Sequence, residues 1–90
     1  MRLITKEVVG AFVNHKAKSV SNTSTDGTAL FLHGNRIAEW RDDGLWITNA
    51  GWKSLTTKER LQALPGVSLC QKAGVWYLNG KPWNGSWIKV

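Results

Sequence analysis

Six tryptophans, Trp40, Trp46, Trp52, Trp76, Trp83 and Trp87, stand within a few residues of Arg36, Arg41, Lys53, Lys72, Lys81 and Lys89. Cations of this kind track phosphates, and indole faces stack bases at about 1–3 kcal/mol each, which is the chemistry of single-strand nucleic-acid binding. The same pairs also form cation–π contacts that hold a fold together, and a small domain needs large rings for its core. The spacing is compatible with both uses. Trp52, in NAGWKS between an expected strand and an expected helix, is the first ring expected to be exposed, followed by Trp83 and Trp87 near the C-terminus. The expected contact residues are Arg36, Arg41, Trp52, Lys53, Lys72, Lys81, Trp83 and Trp87.

Other chemistry has little support. Twelve Lys/Arg against six Asp/Glu leave a formal charge of +6, which favours nucleic acid or an acidic protein as partner. Asp26, Asp42 and Asp43 read as turn residues, Glu59 as a helix-capping residue and Glu7 as an acid in a first helical turn, leaving Glu39 as the carboxylate placed mid-strand. Cys70 and Ser68 have no histidine close in sequence to activate them. His15, His33 and Cys70 are too scattered for metal-ligand spacing, and the glycines are spaced as turns and not as a phosphate cradle. A non-enzymatic binding module is therefore expected, with no catalytic residues, no cofactor and no metal.

Ninety residues suggest one domain, residues 1–90, and the single cysteine suggests a reducing compartment. The N-terminal MRLITKEVVGAFVNHK lacks the apolar run of a signal peptide, and nothing approaches the roughly 20 apolar residues of a membrane span. A cytoplasmic protein is expected.

These residues must be positioned by short elements. Thr5 can cap an N-terminal helix, with Ile4 and Val9 as a hydrophobic staple and Val9, Phe12 and Val13 on one face. AKSVSNTSTDG (residues 17–27) is polar and fits a loop or an edge strand. From Thr28 onward, turn signals punctuate TALFLH, RIAEW and LWIT, which reads as an antiparallel meander. With Gly34-Asn35 as the central turn residues, Leu32 faces Ile37, Phe31 faces Ala38 and Trp40 lies opposite Ala29. A three-residue Asp42-Asp43-Gly44 loop then pairs Trp40 with Trp46. Phe31, Trp40 and Trp46 share one face on this reading; Leu30, Leu32, Ile37 and Ile47 share the other.

TTKERLQALPG carries a capping box, Thr56 with Glu59, ahead of inward Leu61 and Leu64, and Pro65-Gly66 ends the helix. Beyond it, Asn79-Gly80 sets Trp76 opposite Trp83, and Pro82 restricts the following strand to an edge or a short length. FLHGNRIAEWRDDGLWI and YLNGKPWNGSWI look alike, as two copies of one unit or as convergent turn chemistry. The expected fold is α+β: an antiparallel sheet of hairpins in a meander, with an N-terminal helix and a short central helix on one face.

KAGVWYLNG resembles a single choline-binding or cell-wall-binding repeat, but the tandem array of that family is missing here. A larger likeness covers residues 28–88. LHGNRIAEW, LWITNAGW, TTKERLQALPGV and QKAGVWYLNGKPWNGSW resemble a family of small uncharacterised proteins from tailed bacteriophages, with NAGWKSLTTKERLQALPGV the most specific part. The resemblance implies a phage gene expressed in bacterial host cytoplasm and carries over no catalytic residues. It adds a second expectation: an inhibitor or modulator that docks on an acidic host protein, such as a defence or nucleic-acid-processing complex. Homodimerisation through an uncovered sheet face is compatible with either.

Overall fold

A computed structural model describes residues 3–90. In chain order the elements are α1 (Leu3–Val13), β1 (Ala17–Val20), β2 (Thr23–Asp26), β3 (Ala29–Leu32), β4 (Asn35–Arg41), β5 (Gly44–Ile47), α2 (Leu55–Gln62), β6 (Leu69–Lys72), β7 (Val75–Leu78), β8 (Lys81–Trp83) and β9 (Ile88–Lys89). This is the expected α+β fold of hairpins with two helices. The strands form two antiparallel sheets, ordered β1-β2-β3-β4-β5-β9 and β6-β7-β8. The polar stretch at residues 17–27 supplies the edge strand β1 and its neighbour β2.

One core serves both sheets and both helices. Val8, Val9 and Phe12 of α1 and Leu61 of α2 cluster with Leu30, Leu32, Ile37, Ala38, Leu45 and Ile47 of the large sheet and Leu69, Trp76, Leu78 and Trp83 of the small one. Apolar burial contributes about 25 cal/mol per Å², so these side chains supply most of the driving force. Trp76 and Trp83 lie opposite one another on β7 and β8, as Asn79-Gly80 dictates, with ring centroids 6.2 Å apart. Asn79 and Gly80 have φ of 51° and 86°, which suits a two-residue hairpin loop. Pro82 lies on edge strand β8.

Four local expectations are corrected. Thr5 is not a cap: α1 begins at Leu3, and Thr5 is buried within it, donating to Glu59 Oε1 at 2.5 Å and accepting from Arg60 Nη1 at 2.5 Å. Thr56 is not the N-cap of α2 either. Ser54 is, its Oγ accepting from the Thr57 N–H at 3.2 Å, while Glu59 turns to Thr5 and Arg60. A capping box is a local device, and here a tertiary network claims its glutamate.

The first meander turn is centred one residue earlier than expected, on His33-Gly34 (φ 51° and 79°), so Leu32 pairs with Asn35 and Phe31 with Arg36. The register then shifts: Leu30 pairs with Ala38 and Ala29 with Glu39, leaving Ile37 as an extra residue on β4. This bulge reverses the alternation of everything after it. The Asp42-Asp43 loop pairs Arg41 with Gly44, so Trp40 lies opposite Leu45 and Trp46 opposite Glu39. Trp40 therefore turns inward, stacks on Phe12 at 5.5 Å and donates its indole N–H to the Phe12 carbonyl at 3.0 Å. Phe31 and Trp46 keep the outer face.

Candidate functional site

The outer face of the large sheet gathers aromatic rings and cations. Ser24, Phe31 and Arg36 form one cross-strand row on β2, β3 and β4; Glu39, Trp46 and Lys89 form the next on β4, β5 and β9. The Arg36 guanidinium lies over Phe31, 5.6 Å from the ring centroid. Arg41 lies 4.1 Å from the Trp46 centroid and 5.2 Å from that of Trp87. Trp87 reaches this face because β9 returns from the C-terminus to pair with β5.

Glu39 fixes the two arginines. Its Oε1 accepts from Arg36 Nη1 at 3.2 Å and its Oε2 from Arg41 Nε at 2.6 Å. The Arg41 hydrogen bond, and after it that of Arg36, holds the Glu39 carboxyl below its ordinary value of 4.5 against the opposing effect of burial. Asp43 accepts the Trp46 indole N–H at 2.8 Å, which lowers its carboxyl pKa. Asp26 is lowered by the Ala29 and Thr28 backbone N–H groups of its turn.

A pH dependence follows. A carboxyl whose folded pKa is depressed stabilises the fold above its unfolded pKa, and that contribution is lost as pH falls through the folded value. Thermal denaturation should thus be level from neutrality down to about pH 5 and decline below about 4.5. Glu39→Gln should flatten part of that decline, and an NMR titration should show the Glu39 midpoint below 4.5. A Glu39 midpoint at or above the ordinary value would contradict the geometry.

The second feature is the loop between β5 and α2. Asn49 is buried and ties it down: its N–H donates to the Gly85 carbonyl at 3.0 Å, its Oδ1 accepts from Gly51 N–H at 2.8 Å, and its carbonyl accepts from Trp52 N–H at 2.8 Å. Thr48 adds a 2.5 Å hydrogen bond from its Oγ1 to the same Gly85 carbonyl. The clamp drives Ala50 and Gly51 into positive φ, 54° and 83°, and projects Trp52 outward. Trp52 is 60% exposed. Beside it lies a cavity of about 270 Å³ lined by Leu32, His33, Asn35, Ile37, Trp52 and the start of α2.

The expected contact residues therefore separate. Arg36, Arg41 and Trp87 come together on the outer sheet face. Trp52 and Lys53 belong to the clamped loop. Lys72 and Lys81 lie on the small sheet, Lys72 opposite Val75 next to one turn and Lys81 opposite Leu78 next to the other. Trp83, expected to be exposed, is buried at 7%, because its cross-strand partner Trp76 is a core residue and draws it inward. Phe31, Trp46 and Lys89 join the outer cluster, and the alternation of TALFLH and LWIT already placed Phe31 and Trp46 on a shared face. Among the described residues no group of three or more His, Cys, Asp or Glu is gathered, and no helix is long and apolar enough to cross a membrane.

A family model described as Kyanoviridae Gp96 protein matches residues 1–89. No curated protein and no solved structure matches the chain.

Proposed function

The chain belongs to the Kyanoviridae Gp96 protein family, a bacteriophage family, and on that premise we propose that it is a non-enzymatic module that binds single-stranded nucleic acid in the host cytoplasm. The observation that carries this reading is the outer sheet face, where Arg36, Arg41 and Lys89 stand among Phe31, Trp46 and Trp87. Guanidinium planes and indole faces both accept a stacked base, and the cations meet the phosphates between bases. Glu39 orders the arginines without cancelling them, since one carboxylate faces two guanidinium groups.

Salt titration tests it. If Arg36, Arg41 and Lys89 each neutralise a phosphate, three contacts imply a loss of about 20-fold in affinity between 50 and 200 mM salt for a single strand. Arg41→Gln should reduce the slope by roughly one contact, and tryptophan fluorescence should be quenched on titration. Flat fluorescence with no retention on DNA or RNA at low salt, or a slope untouched by Arg41→Gln, would overturn the reading.

A second reading has its own observation. Val75 and Ile88 are exposed, and with Pro82 and Trp83 they line an open groove. An exposed apolar strip beside basic residues supports docking on an acidic host protein, as an inhibitor or modulator. Pull-down from nuclease-treated host lysate separates the two: a stoichiometric protein supports this second reading, and loss of every partner supports the first. Homodimerisation through the same strip would appear as concentration-dependent sedimentation, and a monomer at all concentrations excludes it.

A further inference from the structure

We infer that the cavity beside Trp52 is a pocket for one unpaired nucleobase. This deepens the nucleic-acid reading and rests on it, but it is carried by different residues from those of the sheet face.

The floor is apolar: Leu32 and Ile37 are buried beneath the cavity. The wall is the indole of Trp52, held out by a loop whose backbone is clamped through Asn49. The indole is thus exposed by a fixed backbone, and it loses little freedom when a ring stacks on it. The edge is polar. The Asn35 carboxamide and the Thr56 hydroxyl both line the cavity, and neither makes a hydrogen bond to another described residue. Ser54 also lines it, but its Oγ already accepts from Thr57.

These parts select a ligand class. A flat ring with apolar faces suits a cavity lined by an indole and two aliphatic side chains. A carboxamide offers a donor beside an acceptor, the pattern with which asparagine pairs to the edge of a base. The volume, about 270 Å³, lies just below the roughly 300–1,000 Å³ of drug-sized ligand sites and suits one ring system. Lys53 follows Trp52 directly and supplies a cation for the phosphate of the same nucleotide. Bases in folded duplex are not available to such a site, so the base must be unpaired.

Free nucleosides test the pocket, because they carry no phosphate and do not require the sheet face. Adenosine, guanosine, cytidine and uridine are titrated separately against the full chain, reading tryptophan fluorescence and ligand-observed NMR. At least one should saturate. Trp52→Ala should weaken that binding by about fivefold or more, the loss of one stacked base, while Trp52→Phe should retain most of it. Asn35→Ala should change the order of preference among the four nucleosides, an effect that a merely structural role would not produce. Both positions are at least partly exposed, and unchanged melting temperatures would establish that the variants fold. No saturation by any nucleoside, equal binding by Trp52→Ala, or saturation by maltose in place of nucleosides would overturn the pocket, whatever oligonucleotides do. Nucleoside binding with no salt-dependent oligonucleotide binding would sustain the pocket and overturn the sheet-face reading instead.

Discussion

Replacing Gly85 with alanine is expected to lower the melting temperature by roughly 15–30 °C, which corresponds to about 3–5 kcal/mol in a domain of this size. Two separate costs add. Gly85 has φ of +89°, and an alanine there carries a strain of about 1–2 kcal/mol. The new methyl would also fall within the van der Waals envelope of the Asn49 carboxamide. That side chain cannot simply swing away. It is buried, and its Oδ1 is the acceptor for Gly51 N–H. Displacing it leaves a buried polar group unpaired, at about 1–3 kcal/mol. It also loosens the Gly85 carbonyl, on which both Thr48 Oγ1 and Asn49 N–H converge. Gly34→Ala is the internal comparison. Gly34 has φ of +79° but nothing within reach of an added methyl, so that variant isolates backbone strain and should cost about 1–2 kcal/mol. Equal losses at the two positions, measured by thermal denaturation, would mean that the Asn49 clamp contributes nothing.

The clamp fixes the exposure of Trp52, the ring on which the proposed base pocket depends. Its exposure could be anticipated from NAGWKS, where a single ring stands in a polar connector between two elements. The reason for it could not, since Asn49 is held by a glycine 36 positions away. The same division between local and distant causes runs through the fold. Asn79-Gly80 and the Trp76–Trp83 pair were readable because a two-residue loop fixes register by itself. Arg36 and Arg41 were readable as contact residues from their nearness to Trp40 and Trp46 in the chain.

The bulge at Ile37 was not readable, because an extra residue on β4 leaves no compositional trace. It alone moves Trp40 from the outer face to the inner one, where it packs half-buried against the core. Trp83 was misplaced for a related reason: nearness to the C-terminus suggested exposure, while its partner across the strand had already committed it to the interior. Lys89 joins Trp46 only through the β5–β9 pairing, which spans the whole second half of the chain. Half of the sheet-face cluster was therefore visible in the strand patterns, and the other half depends on a long-range closure of the sheet.

Arg60 is the second position where a single change should have a large effect. It is a helix residue, 1% exposed, that joins three elements: its Nε donates to Thr23 Oγ1 on β2 at 2.9 Å, its Nη1 to Thr5 Oγ1 on α1 at 2.5 Å, and it pairs with Glu59 beside it on α2. Breaking a buried pair by removing one partner typically costs about 3–5 kcal/mol. The Glu59 side chain is 31% exposed and keeps its hydrogen bond from Thr5, so Arg60→Met should fall near the lower end, about 2–4 kcal/mol. Part of that loss comes from the buried Thr5 and Thr23 oxygens, which lose the guanidinium donor while their hydroxyls keep Glu59 and Asn22 as acceptors. Arg60→Lys should rescue little, since one ammonium cannot reproduce a fork that reaches two hydroxyls in different directions. The triple change Arg60→Met, Thr5→Val, Thr23→Val should recover part of the stability, because it removes both oxygens deprived of a donor, set against the loss of the Thr5–Glu59 and Thr23–Asn22 hydrogen bonds. Denaturant titration of the three variants decides the matter: if Arg60→Met and the triple variant are equally destabilised, volume and packing govern this site. If the triple variant is clearly the more stable, the guanidinium acts by satisfying the two threonines and so pins α1 and α2 to β2 in a single geometry.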